Sequence, residues 1–567
     1  MAQHQYTPVS KDDDGQGESH NSNGHSRSRS QISTPLSRTL LRLPPALCSI
    51  FLFLCIIFSL TTPSSSPLSP SSRPRPNNNG ETPLPRLVQQ DLTLPQSTCR
   101  REFPLLYPQL DELRRHWKSH NLIRQSQIDS LEAASRKQDR WGWSRLVLHG
   151  NRLWLRSHHE GLEFGGRHRQ RAMLGLFNQA IQSSPSVDGP LPSVDLLVTT
   201  GDRDVIGPDP GLKRGPLWVL AKHRLVHDTA GQWLAPDFGF LGWPEAQLPG
   251  HAEVVDTLQR KEEESYPWEK KDDRAFWRGF PNIYPVRRDM MARTRNASHL
   301  PVDHPDAWAD VFATTFDRPD GLNQNDPEVK PLVPIEEHCR RKYLLHAEGN
   351  SYSGRGKFLW TCHSVTIAHK LDWAQHFHAA LIDDPKSKKR NWIELQGEGW
   401  DGLEETVRAL WELDSDPKAL TGKGKQSSNY RGWLGAATAK GIFSSRSSQL
   451  TAREIADNAR DSLRDRYLTP AATACYVRGA LRAYGEVMDR ATWPADAITQ
   501  SATAGVGGVG GAAASGRQGI SGEAGPRPKA GNGHSPGHDL GTAGAIGDIS
   551  YESWLLTNGG DWPPPRA

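Results

Sequence analysis

Apolar residues along this chain follow several different rhythms. One unbroken run lies near the N-terminus, periodic patterns fill the middle, and the two ends carry no apolar period. In the middle, Gln109 to Trp117 and Ser126 to Ala134 show helical spacing with mixed charge. Arg152 to Leu155 reads as a strand, and Arg169 to Ile181 as a helix with Met173, Leu174, Leu176 and Phe177 on one face. The run S-V-D-L-L-V-T-T-G-D-R-D from Ser193 is a buried, parallel-type strand that ends in acids. Tyr343 to Ala347 is another strand, feeding a turn of small residues (Gly349, Asn350, Ser351, Ser353, Gly354) and then a helical pattern with Arg355 and Lys357 in its first turn. Helical spacing returns in Leu403 to Leu413, Arg453 to Tyr467 and Ala474 to Met488. Strands alternating with helices predict an α/β fold.

The N-terminal segment, Leu43 to Thr62, contains an apolar run close to the roughly 20 residues needed to cross a bilayer. Arg27, Arg29, Arg38 and Arg42 precede it, and no charge follows until Arg73. That asymmetry predicts a type II anchor, N-terminus cytosolic and the rest luminal. A cleaved signal peptide fits less well, because the polar preface is long and no small-x-small site follows. The expected organisation is a cytosolic disordered tail (1–42), an anchor (43–62) and a Pro/Ser-rich luminal stem (63–98). Two α/β domains (99–250 and 251–493) follow, with a Gly/Ser/Lys-rich surface insertion at 418–449, and then a mostly disordered tail (494–567). In that tail the Y-E-S-W-L-L segment is either a docking patch or without a role.

Composition alters this picture little. A net charge of +4 over 567 residues creates no field for a polyanion, so no nucleic-acid partner is expected. Nineteen Trp suit both cores and sugar-binding faces. Of six Cys, Cys48 and Cys55 fall in the apolar run, which leaves Cys99, Cys339, Cys362 and Cys475 for an oxidising lumen. Four Cys allow three pairings. Cys339 and Cys362 flank one strand–helix unit, so they can meet, and buried free thiols are the alternative.

Two places carry candidate chemistry. Cations in the first turn of a helix are unfavourable unless an anion is held there, so the segment from Gly349 to Lys357 reads either as a diphosphate cradle or as a solvated loop. Asp202 stands at the carboxyl end of a strand, where ligands gather in open α/β sheets. Gly201-Asp202-Arg203-Asp204 is a D-x-D metal motif, a catalytic carboxylate or a turn cap. A second D-x-D, Asp414-Ser415-Asp416, shows how readily the motif arises by chance.

The series Lys342, Tyr343, Leu344, Gly349, Ser353, Arg355, Lys357, Leu359 and then Cys362 resembles the signature of glycosyltransferase family 90, which includes capsule-associated xylosyltransferases and Rumi-type protein O-glucosyltransferases. L-A-P-D-F-G-F-L-G-W-P-E at 234–245 and P-W-E-K at 267–270, followed by F-W-R-G and then Arg-Asp, are similar to further family elements. The resemblance extends more weakly from about Cys99 to Met488.

That resemblance implies a GT-B arrangement, two Rossmann-like domains facing a cleft, with the acceptor on the N-terminal half and a UDP-sugar on the C-terminal half. It implies single displacement with inversion: Asp202 is the base, while Arg288 and Arg355 hold the diphosphate from two sides, with Arg287 the alternative to Arg288. Arg278, Ser351, Ser353 and Gly354 complete the donor side, and Asp237, Phe240 and Trp243 the acceptor side. It also implies the pairs Cys339–Cys362 and Cys99–Cys475. No cofactor is expected beyond the UDP-sugar co-substrate, of which xylose or glucose is the expected sugar, and a divalent metal is not required. The acceptor is a hydroxyl of a glycan or glycoprotein, and the membrane is met through the N-terminal helix, in Golgi or endoplasmic reticulum. The sequon Asn296-Ala297-Ser298 fits that setting. The rival readings are a metal-dependent transferase using Asp202 and Asp204, and a non-catalytic carbohydrate-binding or scaffold membrane protein.

Overall fold

Among the described residues of the computed structural model the strands in chain order are β1 (Trp143–His149), β2 (Arg152–His159), β3 (Val194–Thr199), β4 (Trp218–Val219), β5 (Lys222–His223), β6 (Trp233–Leu234), β7 (Asp272–Gly279), β8 (Ala309–Ala313), β9 (Arg341–His346), β10 (Val365–Ala368), β11 (Trp373–Ala374), β12 (Ile393–Glu394) and β13 (Ile549–Ser550). The structure describes residues 83–138, 140–161, 166–202, 215–225, 229–281, 284–314, 326–415, 431–443, 450–493, 549–551 and 555. All fall in one unit, Pro74–Ala567. Among them no helix is long and apolar enough to cross a membrane, and the expected anchor at 43–62 lies outside the described residues.

The second half of the chain builds a five-stranded sheet in the order β12-β10-β9-β7-β8, parallel throughout. Taken in chain order, its first strand, β7, is flanked by the second on one side and the third on the other. This is the doubly wound order with its switch point between β7 and β9, where a crevice opens outside the strand ends. The helix Pro285–His299 makes the β7-to-β8 crossover, and Pro285 at its start leaves unmade a hydrogen bond that the first turn does not need. Trp277, Tyr343, Leu345, Val365, Ile367 and Ile393 face a core shared with Leu403, Val407 and Leu410 of the helix Leu403–Ser415.

The first half departs from the Rossmann-like expectation. Its sheet, β13-β2-β1-β3-β4-β6, is mixed: β1 is antiparallel to both β2 and β3, and only β3, β4 and β6 are parallel. The cause is a two-residue turn between β1 and β2, in which Gly150 (φ 58°) and Asn151 (φ 55°) both take the left-handed conformation that matches strand twist.

Other boundaries shift as well. Residues read as stem join the fold, because Leu84 and Leu94 are buried in the first core and Gln96–Glu102 is helical. The stretch read as a surface insertion contributes the helix Arg431–Ala439 and buries Ala437, Ile442 and Phe443 in the second core. The closing helix Pro470–Glu486 returns to the first half, packing Tyr476, Leu481 and Tyr484 in the core beneath β3 and β4. Part of the tail docks: Ile549 and Ser550 pair with Leu155 and Trp154 on the edge of β2, and Tyr551 is buried.

Candidate active site

At the switch point lies a cavity of about 550 Å³, within the range of small-molecule sites. Gly279 and Phe280 at the end of β7, Arg287 from the following helix, and Ser353 and Arg355 beyond β9 form one wall. Trp243 and Leu248 close the other side, alongside the segment Leu332–Glu336. Trp243 and Leu248 exchange two main-chain hydrogen bonds of 3.0 Å, which makes this lip a tight turn.

Two arginines dominate the polar wall. Arg287 donates to the carbonyls of Glu348 (3.0 Å) and Phe280 (2.9 Å), and its guanidinium lies 4.6 Å from the Tyr284 ring. Arg355 donates to the carbonyl of Arg278 and sits 5.5 Å from the Trp277 ring, while its Nε is buried without a hydrogen bond. Burial, followed by the charge of Arg287, pushes Arg355 down to about 9. Burial pushes Arg287 down to about 10. Among the described residues no carboxylate pairs with either. Adjacent cations removed from water and left without an anion are unfavourable, and a doubly charged anion between them offsets that cost.

The other expected donor-side residues fall differently. Arg288 is exposed and is not part of the cavity wall, whereas its one-residue alternative, Arg287, lines it. Arg278 borders the cavity, but its fork is committed to the Asp310 carboxylate (2.6 Å) and main-chain carbonyl (2.8 Å). Gly349 and Gly354 permit close approach: a Cβ would lie 2.9 Å from Arg287 Nη2 at the first and 3.1 Å from the Trp243 ring at the second. Ser353 lines the cavity. Ser351 is fully buried, and its hydroxyl donates to the main-chain carbonyl of Asp202.

That hydrogen bond joins the two sheets. Asp202 follows the carboxyl end of β3, and the Ser351 contact sets it against the turn that carries Arg355. The Asp202 side chain is 33% exposed, and Oδ1 accepts from Arg169 Nη1 at 3.3 Å. Asp204 lies outside the described residues.

On the acceptor side, the fully buried Asp237 is bound to Lys357 Nζ (2.8 Å), Gln375 Nε2 (2.9 Å) and the Gly239 amide (2.7 Å). Phe240 is buried against His251, His376 and Phe377. Of the three expected acceptor-side residues, only Trp243 lines the cavity. Lys357 corrects the sequence expectation: the helix after the turn is the single turn Gly356–Leu359, and the ammonium is committed to the Asp237 carboxylate and the Gly354 carbonyl (2.6 Å) rather than facing the cavity. Cys339–Cys362 and Cys99–Cys475 are both disulfides. Asn296 is exposed on its helix, with Ser298 buried beneath it.

Sequence reasoning missed Arg169 and Glu245. They are 76 positions apart, yet Arg169 Nε donates to Glu245 Oε1 at 2.6 Å. No spacing rule joins them, since the fold alone brings the helix Gly166–Gln182 to the turn Pro244–Ala246.

The model of glycosyl transferase family 90 matches residues 104–386, and the chain belongs to that family. Among curated proteins it is similar to an O-glucosyltransferase rumi homolog of Aedes aegypti, 25% identical over 169 residues, which are 29% of this chain and 38% of the relative. Protein O-glucosyltransferase 1 of Bos taurus is 24% identical over 203 residues (34% and 48%), and O-glucosyltransferase rumi of Drosophila melanogaster 24% over 199 residues (34% and 45%). The match spans less than half the length of each of these relatives.

Proposed function

We propose that this chain is an inverting glycosyltransferase that moves a sugar, xylose or glucose, from a UDP-sugar to a hydroxyl of a glycan or protein acceptor in the secretory pathway. The observation that carries this reading is the pair Arg287 and Arg355, set at the switch point of a parallel sheet without a carboxylate partner among the described residues. Family membership supports the reaction class, the named relatives support glucose as one donor sugar, and two disulfides support an oxidising compartment. The membrane anchor at 43–62 belongs to the same proposal, as does the GT-B arrangement of the two halves.

In this mechanism the diphosphate lies between Arg287 and Arg355, whose forks stabilise the charge that develops on departing UDP. Asp202 accepts the proton of the acceptor hydroxyl as its oxygen attacks the anomeric carbon. The Ser351 hydrogen bond to the Asp202 carbonyl fixes the distance between base and cradle. These residues supply an electrostatic route that needs no metal. The test is turnover of a panel of UDP-sugars by the full chain, with and without EDTA. Release of UDP from one donor, unchanged by EDTA, supports the proposal. Loss with EDTA moves the chemistry to a metal, and UDP binding with no turnover of any donor points to a binding module.

A further inference from the structure

Arg169 is shared between two carboxylates of unequal standing. Its Nε meets Glu245 Oε1 at 2.6 Å, and its Nη1 meets Asp202 Oδ1 at 3.3 Å. Exposure of the side chains falls from 33% at Asp202 to 14% at Arg169 and 6% at Glu245, so the trio runs from solvent into the protein. Beneath it the Phe238 ring lies 5.0 Å from the Arg169 guanidinium. Glu245 Oε2 is buried and takes no hydrogen bond, an unfavourable state for an ionised oxygen unless the neighbouring cation holds it. The turn Pro244–Ala246 that carries Glu245 is fixed to the site, because Trp243 at its head packs on Gly354.

We infer that Glu245 is a positioning residue for Asp202, acting through Arg169: it takes the closer contact with the guanidinium, so that Asp202 is oriented by one long contact. This inference rests on the transferase reading and deepens it. An arginine bound to Asp202 alone would hold the carboxylate ionised and weaken it as a base. With Glu245 present, the Arg169–Glu245 pair is neutral and only its edge touches Asp202. The groups that face Asp202 among the described residues are Arg169 from its helix and Tyr352 from the turn after β9. Behind them stand Glu245 and the mutually neutralised pair Asp237 and Lys357.

The test is the pH profile of kcat/KM for the full chain and for Glu245→Gln, which keeps the side-chain oxygen and removes the charge. Without that charge the pull of Arg169 on Asp202 strengthens. The acid limb is expected to move to lower pH by about half a unit or more, and the plateau of kcat to fall about 3–10-fold as the base weakens, with donor KM unchanged. Glu245→Asp, which keeps the charge, is expected to restore the limb. An unchanged acid limb, whether or not activity falls, overturns the inference and leaves Glu245 a packing residue. Should the wild type turn over no donor, carboxyl-carbon NMR titration of Asp202, assigned by its loss in Asp202→Asn, gives the answer without catalysis. A lower Asp202 titration midpoint in Glu245→Gln then sustains the relay although the transferase reading fails, and an unmoved midpoint ends it.

Discussion

Lys357 and Asp237 form a fully buried ion pair, 2.8 Å from ammonium to carboxylate, that ties the single turn after the signature glycines to the Asp237–Trp243 loop. Each partner satisfies further groups, Asp237 the Gly239 amide and Gln375, Lys357 the Gly354 carbonyl. Removing one member strands the other charge in the interior. Lys357→Met and Asp237→Asn are each expected to cost about 3–5 kcal/mol in denaturant unfolding, and the double variant less than the sum of the two.

This pair also shows where sequence reasoning stops. The strand–turn–cation pattern at Tyr343–Lys357 was legible because local chemistry dictates it, and the structure sets that turn at the switch point. Yet two cations two positions apart look equivalent in sequence, and only the fold sends Arg355 to the cavity and Lys357 to Asp237. The same limit applies to Arg287 and Arg288, since a one-residue slip on a helix turns a side chain by about 100°, and of the two only Arg287 lines the cavity. Long apolar periods, as in Arg169–Ile181 and Leu403–Leu413, foretold their helices well. Short strands such as β4 and β6, two residues each, have no period to read, and the antiparallel pairing that makes the first sheet mixed comes from the Gly150-Asn151 turn, which no apolar period announces. Leu84, Leu94, Ile442 and Phe443 were masked by Pro-, Ser- and Gly-rich neighbours, although burial depends on the individual side chain.

Arg287 and Arg288 differ sharply in what their loss should do. Arg287→Ala removes a cation from the cavity wall, and UDP affinity by calorimetry is expected to fall about 10–100-fold, as befits charge-assisted hydrogen bonds. Arg288→Ala, at an exposed position, is expected to change it less than about threefold. Equal losses would return the phosphate role to Arg288.

Glu348 supplies a pH signature. Burial raises its carboxyl from the usual 4.5 to about 8, against the opposing hydrogen bonds from the Asp372 and Trp373 amides. A carboxyl raised on folding binds its proton more tightly in the native state. Its contribution is therefore full below the unfolded value near 4.5 and is lost as pH rises through about 8. Unfolding free energy measured from pH 5 to pH 8 is expected to decline more steeply in the wild type than in Glu348→Gln; parallel curves would contradict this.

Occupancy of the cradle should stabilise the fold. UDP at a hundred times its dissociation constant is expected to add about 2.7 kcal/mol to unfolding free energy, visible as a rise in Tm. Arg355→Ala should abolish that rise while uridine, which lacks the diphosphate, gives none in either protein.

The central claim is a division of labour between a base on the first sheet and a diphosphate cradle on the second. Parallel measurement of UDP affinity and UDP-sugar turnover in the full chain, Asp202→Asn and Arg355→Ala tests it most directly. Asp202→Asn is predicted to bind UDP within about threefold of the wild type and to lose turnover by at least about a hundredfold, while Arg355→Ala loses binding first. Undiminished turnover in Asp202→Asn, or undiminished UDP affinity in Arg355→Ala, would contradict the account.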